Sequence, residues 1–292
     1  MTARVPRVSI VIPCYNAHAF LARAVESARA QTFTDREILV VDDGSTAPET
    51  IALLDTLPDD VQVIRQENRG LAGARNTGFT EARGEYILPL DADDWIDPPF
   101  LAEAVARLDA HGPDAFVYAD IALEGSGSGV LTKPFNLFEQ LYFNQLPYCM
   151  LMPAATWKAA GGYRPWQGYE DWELNLRLSL LGNAALRIEA PYFHYRVSSE
   201  GMLASFSRQR HIALWREIRK AHAHAYRPRA LFACWRRWRG RPSVRPLAVC
   251  IAWELLYRVL PESALARLFR ALRPLQHSMR TTRRHRRALG RN

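Results

Sequence analysis

Short apolar runs alternate with amphipathic segments along the first hundred residues of the chain. The apolar runs predict strands at Val8–Ile12, Glu37–Val41, Val61–Arg65 and Glu85–Leu90. Between them, apolar residues at helical spacing predict helices at Ala19–Ala30, Ala47–Leu57 and Gly73–Ala82. Continuously apolar strands separated by helices are typical of a mainly parallel sheet that is covered on both faces. The pattern therefore predicts an α/β fold.

Polar motifs follow three of these strands: PCYN at 13–16, DDGS at 42–45 and DADD at 91–94. In open parallel sheets, ligands bind beyond the carboxyl ends of the strands. We therefore expect the three motifs to converge in one crevice.

Beyond residue 115 the periodicity is less regular. Leu174, Leu178 and Leu181 are at helical spacing and predict a helix over Trp172–Leu181. The glycine–serine stretch at 125–129 lacks the Lys-Ser/Thr pair of a phosphate loop, so it predicts a hairpin tip.

The DADD motif allows two interpretations. Asp91 and Asp93 are one residue apart at a strand end and can direct two carboxylates at one hard cation, since Mg²⁺ and Mn²⁺ prefer oxygen ligands. Alternatively, Asp93 and Asp94 cap the helix that we expect around Pro98–Leu108. We assign Asp94 mainly to the capping role.

Judged from the residues alone, the other motifs also allow more than one interpretation. A carboxylate of the DDGS motif accepts hydrogen bonds from a nucleobase and a ribose, or it forms a turn and caps a helix. Tyr15 stacks on a base or is a half-buried aromatic residue. In GYEDWE at 168–173, acidic residues at a helix start are stabilised by the helix dipole. A carboxylate between Tyr169 and Trp172 is also partly desolvated, which raises its pKa and suits it to general-base catalysis.

Taken together and in this order, the motifs resemble glycosyltransferase family 2, with the GT-A fold. The resemblance covers roughly Val8–Ser199, through VSIVIPCYN, SARAQTF, EILVVDDGST, QENRGLAGARNTGFTEARGEYILPLDADD and GYEDWELNLRLSLLG. It implies an inverting glycosyltransferase that moves a sugar from a nucleotide-diphosphate donor, with UDP-sugars favoured, to an acceptor hydroxyl. It also implies Mn²⁺ or Mg²⁺ as cofactor and a glycan or lipid-linked acceptor in cell-envelope biogenesis.

The resemblance also implies residue roles. The residues that it assigns to binding of the nucleotide-sugar are Pro13, Tyr15, Asp42, Asp43, Arg75, Asp91, Glu170 and Arg196. Asp91 and Asp93 form the DxD metal site, and Asp171 is the catalytic base. His194 lies where some related enzymes have a third metal ligand or a phosphate contact; a packed strand residue is the alternative. For Arg196, surface ion pairing is the alternative to a diphosphate contact.

Two other functions stay open. A sugar-nucleotide nucleotidyltransferase has a related fold, but it needs a glycine- and lysine-rich N-terminal phosphate loop, and PCYNAHAF has neither residue type. An inactive binding protein on a glycosyltransferase scaffold is disfavoured because the acidic residues of all the motifs occur together. We expect acceptor choice to depend on Lys133–Gln167, which contains Trp157, Tyr163 and Trp166.

The charge of the chain divides it in two. Residues 201–292 contain 22 Lys or Arg against three Glu, whereas residues 1–200 contain 16 basic and 27 acidic residues. We therefore predict a catalytic domain at 1–204 and a basic helical extension at 205–292.

The extension allows three interpretations. Helices are predicted at His211–Tyr226 and Leu231–Trp238. An apolar stripe is formed by Leu265, Leu268, Phe269, Leu272 and Leu275. Docking on an anionic membrane surface is favoured, packing on the catalytic domain is the second possibility, and attraction of nucleic acid is the third. Specific nucleic-acid binding is not expected, because no base-reading element is apparent.

The remaining features indicate a cytoplasmic protein that is peripheral to the membrane. The start of the chain shows no signal-peptide pattern, and the apolar run Leu247–Leu260 is too short to cross a bilayer. The four cysteines have no paired or metal-type spacing, which is typical of reduced, mostly buried thiols.

Overall fold

A computed structural model describes residues 5–198, 210–241 and 247–268. The strands are β1 (Val8–Cys14), β2 (Arg36–Asp42), β3 (Val61–Arg65), β4 (Tyr86–Pro89), β5 (Trp95–Ile96), β6 (Ala115–Gly125), β7 (Gly129–Leu131), β8 (Met152–Pro153) and β9 (Ala184–Val197). The helices are α1 (His18–Arg29), α2 (Pro48–Leu54), α3 (Gly70–Glu81), α4 (Phe100–His111), α5 (Leu137–Gln140), α6 (Ala154–Ala160), α7 (Glu170–Leu180), α8 (His211–Ala221), α9 (Pro228–Trp238) and α10 (Leu247–Val259). Residues 262–268 are also helical.

The central sheet has the strand order β3-β2-β1-β4-β8, in which only β8 is antiparallel to its neighbour. Because side chains alternate along a strand, β1 contributes to two cores. Ile10 and Ile12 pack in the core that contains residues of α1 and α4, whereas Val11 packs in the core of α3 and α7. The predicted α/β fold, with a mainly parallel sheet flanked by helices, is confirmed.

Gly78 allows α3 to lie directly against β1. A Cβ atom at this position would be 2.2 Å from Cγ1 of Val11 and 3.0 Å from Cγ2 of Val41. This close approach brings the first half of α3 to the carboxyl end of the sheet.

A second sheet, with the order β5-β9-β6-β7, lies in the region where the sequence pattern is irregular. Strand β5 directly follows the DADD motif and pairs antiparallel with β9, so that Trp95 is opposite His194. This pairing brings the segment after the DxD carboxylates beside Tyr195 and Arg196. The hairpin tip predicted at 125–129 is confirmed, since it connects the antiparallel strands β6 and β7.

Two helices end earlier than the sequence predicts. The end predicted at Leu57 for the second helix is wrong, since α2 ends at Leu54. Pro58 disfavours helical geometry at the residue before it, which explains the earlier end. Helix α8 similarly ends at Ala221, five residues before the predicted end.

The C-terminal extension packs on the preceding part of the chain. Its residues Ile212, Trp215 and Ile218 share a buried cluster with Phe138 of α5 and Trp172 of α7. Leu265 of the predicted apolar stripe is buried in the same cluster. Three further stripe residues and the predicted domain boundary at 204 lie outside the described residues; these stripe residues are Phe269, Leu272 and Leu275. Within the described ranges, no helix combines the length and apolarity that a membrane span requires.

Candidate active site

A cleft of about 560 Å³ opens at the carboxyl ends of β1, β2 and β4. Among the residues that line it are Pro13, Tyr15, Asp43, Asp91, Asp93 and Arg196. The predicted convergence of the three polar motifs is therefore confirmed. Carboxylates lie on the walls of the cleft, and the ring of Tyr15 lies just after the end of β1.

The two acidic residues of the DDGS motif have different surroundings. Asp43 is buried in the cleft wall, and its Oδ1 accepts hydrogen bonds from Nε2 of Gln66 at 2.6 Å and from the amide of Arg69 at 2.8 Å. Oδ1 of Asp42 accepts the amide of Ser45 at 2.9 Å and so closes the turn. Asp43 is thus the carboxylate of this motif that lines the cleft, and Asp42 supports the loop behind it.

Asp94 braces the loop between β4 and β5. It is buried, and its carboxylate accepts the hydroxyl of Tyr148 at 2.5 Å and the amide of Arg196 at 2.7 Å. The oxygen of Tyr148 in turn accepts the amide of Asp91 at 2.9 Å. Burial, together with the charges of Asp91 and Asp93, raises the pKa of Asp94 well above its usual range. Helix α4 begins at Phe100, and the amide of Leu101 in its first turn donates to Oε1 of Gln31 at 3.0 Å, not to Asp94, so the assignment of Asp94 to helix capping is wrong.

Asp91 and Asp93 suit a divalent cation that is also bound by phosphate oxygens. Both line the cleft, and the pKa of Asp93 is raised by burial and by the negative charge of Asp91. A cation between them would relieve this repulsion, and Mg²⁺ or Mn²⁺ bound with phosphates typically uses one or two protein carboxylates. Across the described ranges, no group of three or more His, Cys, Asp or Glu is arranged as a metal site.

Arg75 connects Asp91, one of the two carboxylates suited to a metal ion, to Glu170 at the start of α7. Its guanidinium is 1% exposed and donates to Oδ1 of Asp91 at 2.7 Å and to Oε1 of Glu170 at 2.9 Å. The rings of Tyr148 and Tyr163 lie 4.8 and 5.3 Å from it. Burial raises the pKa of Glu170 to about 7, although the charge of Arg75 opposes that rise. Arg75 is therefore enclosed by protein and acts on the cleft through the two carboxylates.

Asp171 is in the first turn of α7, next to Glu170. Its Oδ2 accepts a hydrogen bond from Nδ2 of Asn144 at 2.9 Å. Burial raises the pKa of Asp171, and the charge of Arg75 opposes the rise. Glu170, the residue before Asp171, is connected through the guanidinium of Arg75 to Asp91, which lines the cleft. The geometry thus puts a carboxylate with a raised pKa beside the cleft.

Arg196 and His194 lie on β9 but in different surroundings. Arg196 lines the cleft, with Nη1 3.5 Å from Oδ2 of Asp93 and its guanidinium 3.8 Å from the centre of the Phe20 ring. His194 stacks on Trp95 at 5.1 Å. Its ring nitrogens are 2.9 Å from Oδ1 of Asp97 and 3.2 Å from Oε1 of Glu124. The structure therefore brings Arg196, but not the ring nitrogens of His194, to the DxD carboxylates.

The C-terminal extension holds the helix that carries Asp171. Glu173 of α7 is fully buried, and its Oε1 is 2.9 Å from Nε2 of His222. Burial alone would raise the pKa of Glu173, but the hydrogen bond to His222 and the charge of Arg177 bring it below its usual value. The hydroxyl of Tyr169, just before α7, is 2.8 Å from Nδ1 of His211. The extension is therefore part of the support of the site.

The sequence patterns did not identify three residues of this region. Asn144 and Tyr148, which bind Asp171 and Asp94, lie in the segment that we assigned to acceptor choice. Tyr195 lines the cleft between His194 and Arg196. Their side-chain types are common in loops and strands, and only the tertiary fold shows what they contact. The one available signal was the position of Tyr195 between His194 and Arg196.

Residues 9–146 match the family described as "Glycosyl transferase family 2". The match covers the cleft walls formed by β1, β2 and β4 and the DADD motif. Residues 9–146, somewhat less than half of the chain, thus carry its likeness to glycosyl transferase family 2.

One relative of the chain is the succinoglycan biosynthesis protein ExoO of Rhizobium meliloti (strain 1021). It is 44% identical over 111 residues, which cover 37% of this chain and 32% of ExoO. The chain spans 14–32% of the length of the first curated relatives that it matches.

Solved structures share the GT-A fold of this chain. S. aureus TarS 1-349 in complex with UDP-GlcNAc has a TM-score of 0.61 at 23% identity, and the likeness covers 73% of this chain and 65% of that one. The mannosyltransferase PcManGT from Pyrobaculum calidifontis, in complex with GDP-Man and Mn²⁺, has a TM-score of 0.55 at 19% identity, with 90% and 84% covered. The resemblance to the family and to its fold, inferred from the motifs, is confirmed.

Proposed function

We propose that the chain transfers a sugar, with inversion, from a nucleotide-diphosphate donor to an acceptor hydroxyl of a cell-envelope glycan or lipid-linked precursor. The observation that carries the proposal is the cleft itself. It brings together the carboxylate of Asp43 and the DxD pair Asp91 and Asp93, and Arg75 connects Asp91 to Glu170, the neighbour of Asp171 at the start of α7. Asp43 suits the nucleobase of a donor, the DxD pair suits its diphosphate, and Asp171 suits the acceptor hydroxyl.

Each residue has a role that follows from its surroundings. Asp43 accepts hydrogen bonds from the nucleobase, and the exposed ring of Tyr15 stacks on it. Arg196 faces the diphosphate, for which a guanidinium is a suitable partner. Asp91 and Asp93 would hold Mn²⁺ or Mg²⁺, which supplies charge stabilisation to the leaving diphosphate when bound. Arg75 and Glu170 keep Asp91 in place.

Asp171 accepts the proton of the acceptor hydroxyl. The hydroxyl oxygen forms a bond to the anomeric carbon on the face opposite the leaving group. The bond from that carbon to the phosphate oxygen breaks, and its electron pair leaves with the nucleoside diphosphate. One displacement of this kind inverts the anomeric configuration. A carboxylate with a raised pKa suits this role, because it is a stronger base than a solvated one.

The relatives support the class of donor and product. TarS is described in complex with UDP-GlcNAc and PcManGT with GDP-Man and Mn²⁺, and ExoO is a succinoglycan biosynthesis protein. These names support a nucleotide-sugar donor, a divalent cation and an envelope polysaccharide product for this chain. We favour a UDP-sugar and a location at the cytoplasmic face of the membrane, as the sequence predicts.

Isothermal titration with UDP and GDP tests the donor site. We expect one of them to bind at least about tenfold more tightly with Mn²⁺ than with EDTA, since a cation offsets the repulsion between diphosphate and carboxylates. Asp93→Asn should lose this enhancement. Asp97→Asn should keep it, because Asp97 has the same side-chain exposure as Asp93, 40% against 41%, but contacts His194 instead of lining the cleft.

Other results would change the proposal. Nucleotide binding that is indifferent to Mn²⁺ would remove the DxD assignment. Tight donor binding without release of the nucleoside diphosphate, for every nucleotide-sugar and acceptor tried, would favour an inactive binding protein. Release of pyrophosphate from a nucleoside triphosphate and a sugar phosphate would favour a nucleotidyltransferase.

A further inference from the structure

Helix α10 presents an apolar face to the outside. Five of its exposed residues recur at helical spacing and therefore share one face; they are Ala248, Ile251, Ala252, Leu255 and Val259, and the two other exposed residues of α10 are Val249 and Arg258. Ile251 is 50% exposed, Leu255 57% and Val259 77%. A contiguous exposed apolar surface on a protein marks an interaction site more often than scattered apolar residues do.

The opposite face of α10 contains its acidic residue. Glu254 is buried, and its two carboxylate oxygens accept from Nη1 and Nη2 of Arg219 at 2.7 and 2.6 Å. The hydroxyl of Tyr142 also donates to Glu254, at 3.1 Å. This bidentate pair fixes the rotation of α10, because any turn of the helix that buried Leu255 would expose Glu254 and leave Arg219 without its partner. The apolar face is therefore held outward by a buried ion pair.

The C-terminal extension that carries this face is strongly basic. In α9, Arg229 and Arg236 are exposed at helical spacing from Phe232, which is itself 52% exposed, and Arg237 is exposed as well. In the sequence, residues 269–292 add eight arginines and no acidic residue. Exposed apolar residues on a helical segment that also has many arginines are typical of helices that lie in the interface of an anionic bilayer.

We propose that the outward face of α10 is a membrane-docking surface that inserts between the headgroups of anionic lipids. Charge complementarity decides the occupant: a second copy of this chain would bring an equally basic extension, and the repulsion would oppose pairing. The 13 residues of α10 suit a helix that lies in the membrane plane, since about 20 are needed to cross. The arginines of the extension attract the anionic headgroups, and the side chains of Ile251, Leu255 and Val259 insert between the lipids.

Flotation of the full chain with vesicles tests this surface. The wild type should float with vesicles of phosphatidylglycerol and phosphatidylcholine, and much less with phosphatidylcholine alone. The double variant Ile251→Glu/Leu255→Glu should lower the bound fraction at least about tenfold, because two charges would enter the apolar region of the interface. The matched control is Ile51→Glu, since Ile51 is 40% exposed on α2 of the catalytic part; it should float like the wild type.

The arginines have a separate test. Arg236→Ala/Arg237→Ala should weaken flotation on anionic vesicles and reduce its dependence on salt, without affecting the nucleotide binding described above. Nucleotide affinity also verifies that each variant is folded.

Three results would overturn the proposal. The first is equal flotation of the wild type and the Ile251/Leu255 variant. The second is a wild type that does not float and sediments as a dimer, with a monomeric variant, which would assign the face to a second copy. The third is an unchanged bound fraction together with a lower thermal midpoint of the variant, which would assign the face to another segment of the same chain.

Discussion

Replacement of Asp171 by asparagine is expected to abolish sugar transfer and to leave nucleoside-diphosphate affinity within about twofold of the wild type. The amide keeps the hydrogen-bond capacity toward Asn144 but cannot accept a proton at neutral pH. General-base assistance typically contributes about 10²–10⁴-fold to the rate, so the loss should be of this size. Donor binding should survive because Asp171 is beside the cleft and not among the residues that line it.

The two carboxylates at the start of α7 can be distinguished by the matched variant Glu170→Gln. Both have a raised pKa, but Glu170 is in an ion pair with buried Arg75, whereas Asp171 is held by a neutral amide. We therefore expect Glu170→Gln to keep measurable transfer. Initial rates of nucleoside-diphosphate release, with calorimetry of the nucleotide alone, provide both measurements.

The dependence of transfer on pH adds a second readout. Wild-type transfer should fall at low pH, as Asp171 becomes protonated, and this acidic limb should begin at a higher pH than for an ordinary aspartate because the pKa of Asp171 is raised by burial. Residual activity of Asp171→Asn should lack that limb. Full activity of Asp171→Asn, or loss of transfer in Glu170→Gln alone, would remove Asp171 as the base.

The first hundred residues could be predicted because their elements are decided locally. Strand β3 has the bounds Val61–Arg65 that its apolar run predicts, and β1 and β2 extend the predicted strands by one or two residues at an end. The carboxyl ends of parallel strands lie at the same edge of a sheet. Asp43 and Asp91, which follow two such strands, could therefore be placed in one cleft. The family motifs supplied the roles that spacing alone could not.

The parts that were missed depend on contacts between distant residues. Asp94 binds Tyr148, which is 54 positions away, so a local cap was the only partner that the sequence could indicate. Strand β9 pairs with β6 and β5 and is half-buried along much of its length. Its sequence therefore shows no regular alternation of apolar and polar residues. The run Leu247–Leu260 is apolar both before and after Glu254, so its sequence does not show which face of the helix is outward. The ion pair between Glu254 and Arg219 shows that the face with Glu254 is the buried one.

Arg75→Met is expected to lower the free energy of unfolding by about 3–5 kcal/mol at pH 8, the range typical when one partner of a buried ion pair is removed. Methionine fills most of the space, but Glu170 and Asp91 lose a cation that is itself 1% exposed. The double variant Arg75→Met/Glu170→Gln should recover part of this loss, because the uncompensated carboxylate is then neutral. Urea denaturation of the four proteins of this double-mutant cycle measures the coupling.

The cost of Arg75→Met should depend on pH in a direction that follows from Glu170. Burial raises the pKa of Glu170 from 4.5 to about 7 in the folded chain, so the folded state binds more protons in this interval and stability falls as the pH rises through it. Without the opposing charge of Arg75 this pKa rises further, and the fall continues above pH 7. The gap between the wild type and Arg75→Met should therefore widen from pH 6 to pH 8, and Glu170→Gln in both backgrounds should suppress the widening. A gap that stays constant with pH would mean that Arg75 stabilises the site through Asp91 and its aromatic neighbours instead of through Glu170.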